Sequence, residues 1–391
     1  MNIVLFDDQN RANLLPFTFT RPVSDLRVGI LTIKEKWEKR MDAQVSTLTR
    51  PYLSKKFPLS LAADNLFING AVLPSNDFTS LVNELEMEEA IVSEDDLLLA
   101  YRGATLPTES PKKTTTSNVS LLRYPEDIFS KNGEEMESDW TLVAFDQQSK
   151  TLSETNTVTG KGEIFIHQDA SVEGAILNPD GGKIYVGPGA TIMEGCIVRG
   201  SLALCQGAQL KLGAKIYGPT TVGPYSKVGG EVNNSVIWGY SNKGHDGFLG
   251  NSVIGQWCNL GADTNTSNLK NNYAEVKLWD FSSGRFRATG KQFCGLMMGD
   301  HSKCGINTMF NTGTVIGVSC NIFGSGFPRN YVPSFAWGGS AGFSTYQTRK
   351  AFETAGLVMS RRNVEFDEIE AKILHTVFDQ TSGNRYWDKN N

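Results

Sequence analysis

Four histidines and six cysteines are the side chains of this 391-residue chain best suited to proton transfer, metal ligation or nucleophilic attack. Imidazole, with a reference pKa of about 6.5, exchanges its proton near neutrality, so each of His167, His245, His301 and His375 is weighed as an acid or base. The cysteines all lie between Cys196 and Cys320, irregularly spaced and without a CxxC pair. That pattern favours reduced thiols packed in a core over a disulfide framework or a zinc site, and no metal ligand is expected. Near the N-terminus Arg21, Arg27 and Lys34 could bind phosphate, although Arg21 and Arg27 suit structural ion pairs equally well. Asp7 and Asp8 follow the first apolar strand and read as solvent-facing charges.

The elements that must position these groups announce themselves through a repeat. Stepping by six from Val186 gives Ile192, Val198, Leu204, Leu210, Ile216, Val222 and Val228. A second run, Met298, Cys304, Phe310, Ile316 and Ile322, keeps the same step. A helical period of 3.6 cannot produce a strict six, and a β-sandwich would alternate with period two. Short strands wound around a triangular prism place one inward side chain per face, so residues 160–330 are expected to form a hexapeptide-repeat parallel β-helix. Between the runs the phase slips: residues 233–268 keep only fragments, and 268–292 form a polar, basic excursion, the kind of interruption where sites are built.

Flanking segments complete the plan. Residues 1–150 fit an α/β domain that starts with the strand Ile3 to Phe6 and includes Leu66, Phe67 and Ile68. Within it Thr105 to Asn118 reads as a loop, Glu84 to Asp96 as an acidic solvated face, and Pro125 to Asp139 as a helix burying Ile128, Phe129 and Met136. After Pro333, residues 346–378 read as amphipathic helix broken near Asn363, part of a C-terminal helical cap over 345–391 that covers the end of the prism. The length implies two or three units. A net charge of -5 with 20% charged residues argues against a nucleic-acid surface. No basic stretch precedes an apolar run at MNIVLFDDQN and no window reaches bilayer length, so no membrane association and a cytoplasmic location are expected.

Residues 244–269, GHDGFLGNSVIGQWCNLGADTNTSNL, with the later GDHSKCGINTMF, resemble the GlmU-like bifunctional family, and the archaeal-type members in particular. These join a sugar-1-phosphate nucleotidylyltransferase to a glucosamine-1-phosphate N-acetyltransferase. The resemblance implies a divergent nucleotidyltransferase-like α/β domain, a left-handed parallel β-helix and a C-terminal helix. It also implies a homotrimer that uses acetyl-CoA as cosubstrate and an amino-sugar phosphate as small-molecule acceptor. The family's general base falls on His245, and the asparagine fourteen positions later on Asn259. Acetyl-CoA contacts fall on Ala262, Ile306 and Gly324, and substrate contacts on Asn268 and Lys277. His167, His301 and His375 lack any such context and are read as structural.

Departures from the family pattern are equally specific. The arginine and lysine that hold the sugar phosphate are replaced by Tyr217 and Asn233, and Phe248 stands where the family has tyrosine. Lys227, Lys243, Arg285 and Lys291 could supply substitute charge. At the N-terminus FDDQNRANLLPFTFTRPV lacks the glycine loop, Asn13 replaces its arginine, Val23 its lysine and Ala71 the metal-binding aspartate. An altered or inactive nucleotide site follows, with Mg²⁺ relevant only if that site is active. Two rivals stay open: a bifunctional enzyme with both sites working, and a non-catalytic scaffold that binds sugar nucleotide. A zinc-dependent carbonic anhydrase on the same prism is disfavoured, because His245 and His301 are 56 residues apart with no close histidine pair.

Overall fold

The computed structural model describes residues 2–107 and 111–388. Its contacts divide the chain into two compact units, one of residues 1–27 and 31–124, the other of residues 28–30 and 125–391.

The first unit is built on a six-stranded mixed sheet in the order Val45–Leu48, Asn2–Phe6, Asn65–Asn69, Leu98–Gly103, Glu89–Ser93, Lys112–Thr116. The three central apolar strands are buried on both faces, as their continuous hydrophobic runs require. Helix α1, Ile33–Met41, starts at a reciprocal Thr32/Glu35 capping box and buries Trp37, whose indole N–H donates to the Val72 carbonyl at 3.1 Å. Helix α2, Asn76–Asn83, is capped by Ser75. Two expectations are corrected here. The acidic run 84–96 contains a strand whose Ala90, Ile91 and Val92 are buried, so the acids flank a core element. The segment 105–118 contains the strand Lys112–Thr116, which pairs in parallel with Glu89–Ser93; residues 108–110 lie outside the described residues. A polar edge strand shows no hydrophobic alternation, so its sequence looks like loop.

Helices α3, Pro125–Ser130, and α4, Asn132–Val143, belong to the second unit. Trp140 of α4 packs edge-on against Phe165 at 6.3 Å, and Lys183 bridges to Glu137 at 3.2 Å. The contact boundary therefore falls after Tyr124.

The prism itself has three faces. One is a nine-stranded parallel sheet running from Ile164–Ile166 to Tyr331–Val332. The second has ten strands, from Ser171–Val172 to an antiparallel closing hairpin, Ala336–Gly339 with Gly342–Thr345. A third has six, from Thr157–Val158 to Phe248–Gly250, and is continued by the pair Asn265–Thr266 and Met309–Phe310. Every residue of both six-step series is buried, and those side chains make one continuous core along the prism. The six cysteines are buried thiols that form no disulfide.

Between Val253 and Met297, which pair in register, the chain leaves the prism and forms an antiparallel hairpin, Lys277–Asp280 with Arg285–Ala288. Helices α5, Thr348–Ser360, and α6, Glu368–Gln380, are separated by a turn in which Asn363 takes φ 55°. They do more than cover the end. The Arg362 guanidinium donates to Asn242 on the second face at 3.1 Å, several coils from the last strand, while Phe378 meets Phe335 edge-on at 5.1 Å. Amphipathy fixes that a helix face is buried but not the surface that receives it.

Candidate functional site

Strands of the second face end in corners that stack into one edge of the prism. His245 follows the strand Asn242–Lys243, and Ala262 follows Asn259–Leu260; Asn242 and Asn259 are in register, and the Asp263 N–H donates to the Asp246 carbonyl at 3.0 Å. One coil further, the Asn307 N–H donates to the Ala262 carbonyl at 2.8 Å, which stacks Ile306 above Ala262. Gly324, with φ 101°, continues the same column. Ala262, Ile306 and Gly324 are thus brought together along the edge that carries His245. Two glycines make the corner possible. A Cβ on Gly230, which has φ 69°, would come within 2.8 Å of the His245 carbonyl, and one on Gly247, with φ 110°, within 2.2 Å of the Thr264 carbonyl.

The exposed His245 borders a groove of about 440 Å³ lined also by Lys211, Leu212, Asp246, Ala262 and Asp263. Beneath it Lys243 turns inward, fully buried, and its ammonium donates to the His245 and Asp246 carbonyls. Burial lowers its pKa to about 8, against the pull of Asp246 and Asp263. Lys243 is therefore a strut of the corner and not a substitute phosphate ligand. Asn259 lies outside the groove lining, exposed on the second face between Asn242 and Lys303.

Tyr217, Asn233 and Asn268 form a separate polar row. Tyr217 and Asn233 are register partners on the third face, and the Asn233 amide donates to the Tyr217 carbonyl at 3.2 Å. The Asn251 N–H donates to the Asn233 carbonyl at 3.0 Å, and the Asn268 amide to the Asn251 side chain at 2.8 Å. The Tyr217 hydroxyl donates to Glu231 at 2.6 Å; burial and that carboxylate push its pKa up to about 12. Lys277 is brought to none of these groups. It sits on the hairpin and lines a different cavity. Among the described residues no three of His, Cys, Asp and Glu gather as metal ligands, and no helix is long and apolar enough to cross a membrane.

At the C-terminal end of the first strand, a cleft of about 100 Å³ gathers Asp8, Asn10, Asn13, Ala71 and Arg123. Asn13 and Ala71, aligned from sequence with the nucleotide-binding arginine and metal aspartate, do meet here. Arg21, Arg27 and Lys34 do not line the cleft; they pair with Asp25 at 3.4 Å, Glu35 at 3.2 Å and Glu38 at 3.7 Å. Nor do Asp7 and Asp8 face solvent as free charges. Asp7 accepts from the Val23 N–H at 2.8 Å, from the Thr49 hydroxyl at 2.6 Å and from Arg11 at 3.2 Å, so it ties the loop to two neighbouring segments. Asp8 caps the 3₁₀ turn Gln9–Leu14 and accepts from the Asn69 amide at 2.9 Å. With Ala71 opposite and Asp8 committed to amide donors, the cleft does not fit a Mg²⁺ site, which needs carboxylate oxygens free to ligate.

Residues 3–148 match the family described as sugar nucleotidyl transferase. The bifunctional protein GlmU of Methanocaldococcus jannaschii is 36% identical over 90 residues, 23% of this chain and 21% of that protein. The GlmU of Cupriavidus pinatubonensis is 28% identical over 138 residues, 30% of each. The matched stretches span less than a third of those relatives' lengths. Among solved structures, the polySia-specific acetyltransferase NeuO aligns over 53% of this chain and 96% of its own, at 13% identity and a TM-score of 0.31.

Sequence reasoning missed Asp246 and Asp263 in this site and gave Lys243 another role, that of substitute charge. A signal was available for the first two: they are 17 residues apart and each directly follows an aligned position, His245 and Ala262. For Lys243, which occupies an inward position of the repeat, nothing in the residue type says that its ammonium folds back onto the corner.

Proposed function

We propose that the prism of this chain is an acetyl-CoA-dependent N-acyltransferase acting on an amino sugar or its 1-phosphate, with His245 as general base. The observation that carries this reading is the stacking of His245, Ala262, Ile306 and Gly324 on one edge beside a groove. An acceptor amine arrives largely as ammonium, and the Asp246 and Asp263 carboxylates of the groove favour that cation. Once that ammonium has released one proton to solvent, the neutral amine attacks the thioester carbonyl and its surplus N–H proton passes to the His245 imidazole; the tetrahedral adduct then collapses to the amide and expels the thiolate, which takes the proton from the imidazolium. Asn259 orients the acceptor from the adjoining face, and Tyr217, Asn233 and Asn268 mark the wider acceptor surface.

On this reading residues 1–150 form a nucleotidyltransferase-like module of altered site, residues 160–330 the acyltransferase domain and 345–391 a helical element braced against it, in a cytoplasmic protein. The active form is a homotrimer whose coenzyme sites lie between neighbouring prisms. Support comes from the apolar side chains exposed along the same edge, Leu212 at 68%, Ile306 at 70% and Phe323 at 43%. The test is thiol release from acetyl-CoA with a panel of amino sugars and their 1-phosphates. His245→Ala is expected to lower turnover by about 10² to 10⁴ with little change in melting temperature. A panel without turnover would favour the scaffold, and undiminished turnover in the variant would remove the base.

A further inference from the structure

A second cavity of about 840 Å³ lies on the excursion side of the prism, a volume in the range of small-molecule sites. It shares no lining residue with the His245 groove. Its walls come from separate stretches of the second unit: Lys270 and the hairpin of the excursion, Thr312, the coil at 329–331 and the turn at 383–386.

Two kinds of side chain dominate it. Trp279 stacks on Tyr331 with ring centroids 4.2 Å apart and meets Phe286 edge-on at 5.4 Å. Phe286 and Tyr386 remain 43% and 40% exposed. Among these rings sit Lys270, Lys277 and Arg329, and among the described residues no carboxylate lines the cavity. The Lys270 ammonium donates to the Glu275 carbonyl at 2.8 Å, and the Arg329 guanidinium lies 5.0 Å from the Tyr386 ring centre, so neither cation is neutralised by these contacts. The hairpin wall is braced, because Arg287 on its second strand meets the buried Glu126 carboxylate of α3 at 2.6 Å.

Three cations around exposed aromatic rings, in a chain of overall net charge -5, are not what general solubility selects. The side-chain acceptors of the lining are neutral hydroxyls and amides, so its positive charge is left to be met by an anionic group and not by carbohydrate hydroxyls. A phosphate group satisfies the cations, and a planar base satisfies the rings. We infer that this cavity binds a nucleotide, base against the aromatic wall and phosphate toward Arg329, Lys270 and Lys277. The nucleotide is either free or the adenosine end of a coenzyme thioester.

Calorimetric titration of the full-length protein with ADP, UDP, coenzyme A, adenosine, glucose 1-phosphate and inorganic phosphate tests this, with tryptophan fluorescence as a parallel readout. A nucleoside diphosphate is expected to bind below about 1 mM, and at least tenfold tighter than adenosine or phosphate alone. Arg329→Gln should weaken it about tenfold or more, and Phe286→Ala at least about fivefold. His245→Ala should leave it unchanged. If coenzyme A binds tighter than ADP and loses that advantage in Arg329→Gln, the coenzyme is the source; if ADP or UDP matches it, the free nucleotide is. Equal affinity for glucose 1-phosphate, absence of nucleotide binding, or binding indifferent to both cavity variants would overturn the inference.

Discussion

Lys243 is the residue on which the His245 corner depends, and its chemistry gives a test separate from catalysis. Lys243→Met keeps the apolar stem in the core but removes the donors to the His245 and Asp246 carbonyls. We expect turnover to fall about tenfold with the Michaelis constant for the acyl donor unchanged, since misplacement of a base costs rate before binding. The pH dependence has a definite sign. Because the folded pKa, about 8, lies below the ordinary lysine value, the unfolded chain binds more protons between the two, and stability rises with pH across that window. Denaturant unfolding of the wild type relative to Lys243→Met should show that rise from about pH 8 towards 10. The nucleotide cleft supports an expectation of the opposite kind. With Ala71 at the metal position and Asp8 held by amides, pyrophosphate release from UTP or dTTP with Mg²⁺ and sugar 1-phosphates should be absent or very weak. Robust release, abolished by Arg21→Ala, would reverse this. The motif placed His245 and Ala262 side by side without any coordinates, since strict register turns sequence spacing into spatial adjacency. Lys277 lies on the hairpin, where the excursion breaks that register and spacing no longer measures distance.

The excursion hairpin is the element with the clearest energetic signature. Burial raises the Glu126 carboxyl and Arg287 pulls it back down, so truncating the arginine leaves a buried carboxylate without its partner. Arg287→Ala should cost about 3 kcal/mol at pH 8. The loss should shrink towards pH 5, because a group whose folded pKa is raised gives up stability as the pH climbs through it and regains it on protonation. Urea unfolding at the two pH values measures the difference. Other elements show where a sequence speaks. From Val186 to Val228 and from Met298 to Ile322, every sixth residue points inward because each face of the prism admits one inward side chain per turn. Strand Lys112–Thr116 is exposed along most of its length, so no burial pattern marked it, whereas Ala90 to Val92 were hidden among acids that decorate the ends of a core strand. The break between α5 and α6 was legible at Asn363, a residue type that tolerates left-handed backbone; their docking against the second face was not.

Assembly is the property of the whole molecule that the grooves bear on most. Light scattering should return three times the 42.9 kDa mass of the chain, and Ile306→Asp, which sets a charge on the most exposed apolar side chain of the edge, should shift it towards the single-chain mass and remove acyl transfer together. A fully active monomer at micromolar concentration would be incompatible with shared sites. The two halves of the chain carry their information differently: a parallel prism repeats its instruction coil after coil, while the N-terminal sheet, with strands from distant segments, states each pairing once. That redundancy has a consequence at the excursion. Val253 and Met297 pair although 44 residues apart, whereas Met297 and Val315, one ordinary coil apart, are separated by 18, so 26 residues are added without shifting a single rung. The ladder above and below is indifferent to what is spliced in. Changes within that segment can remodel the second cavity as a detachable cassette, while the rungs that hold His245 keep their register.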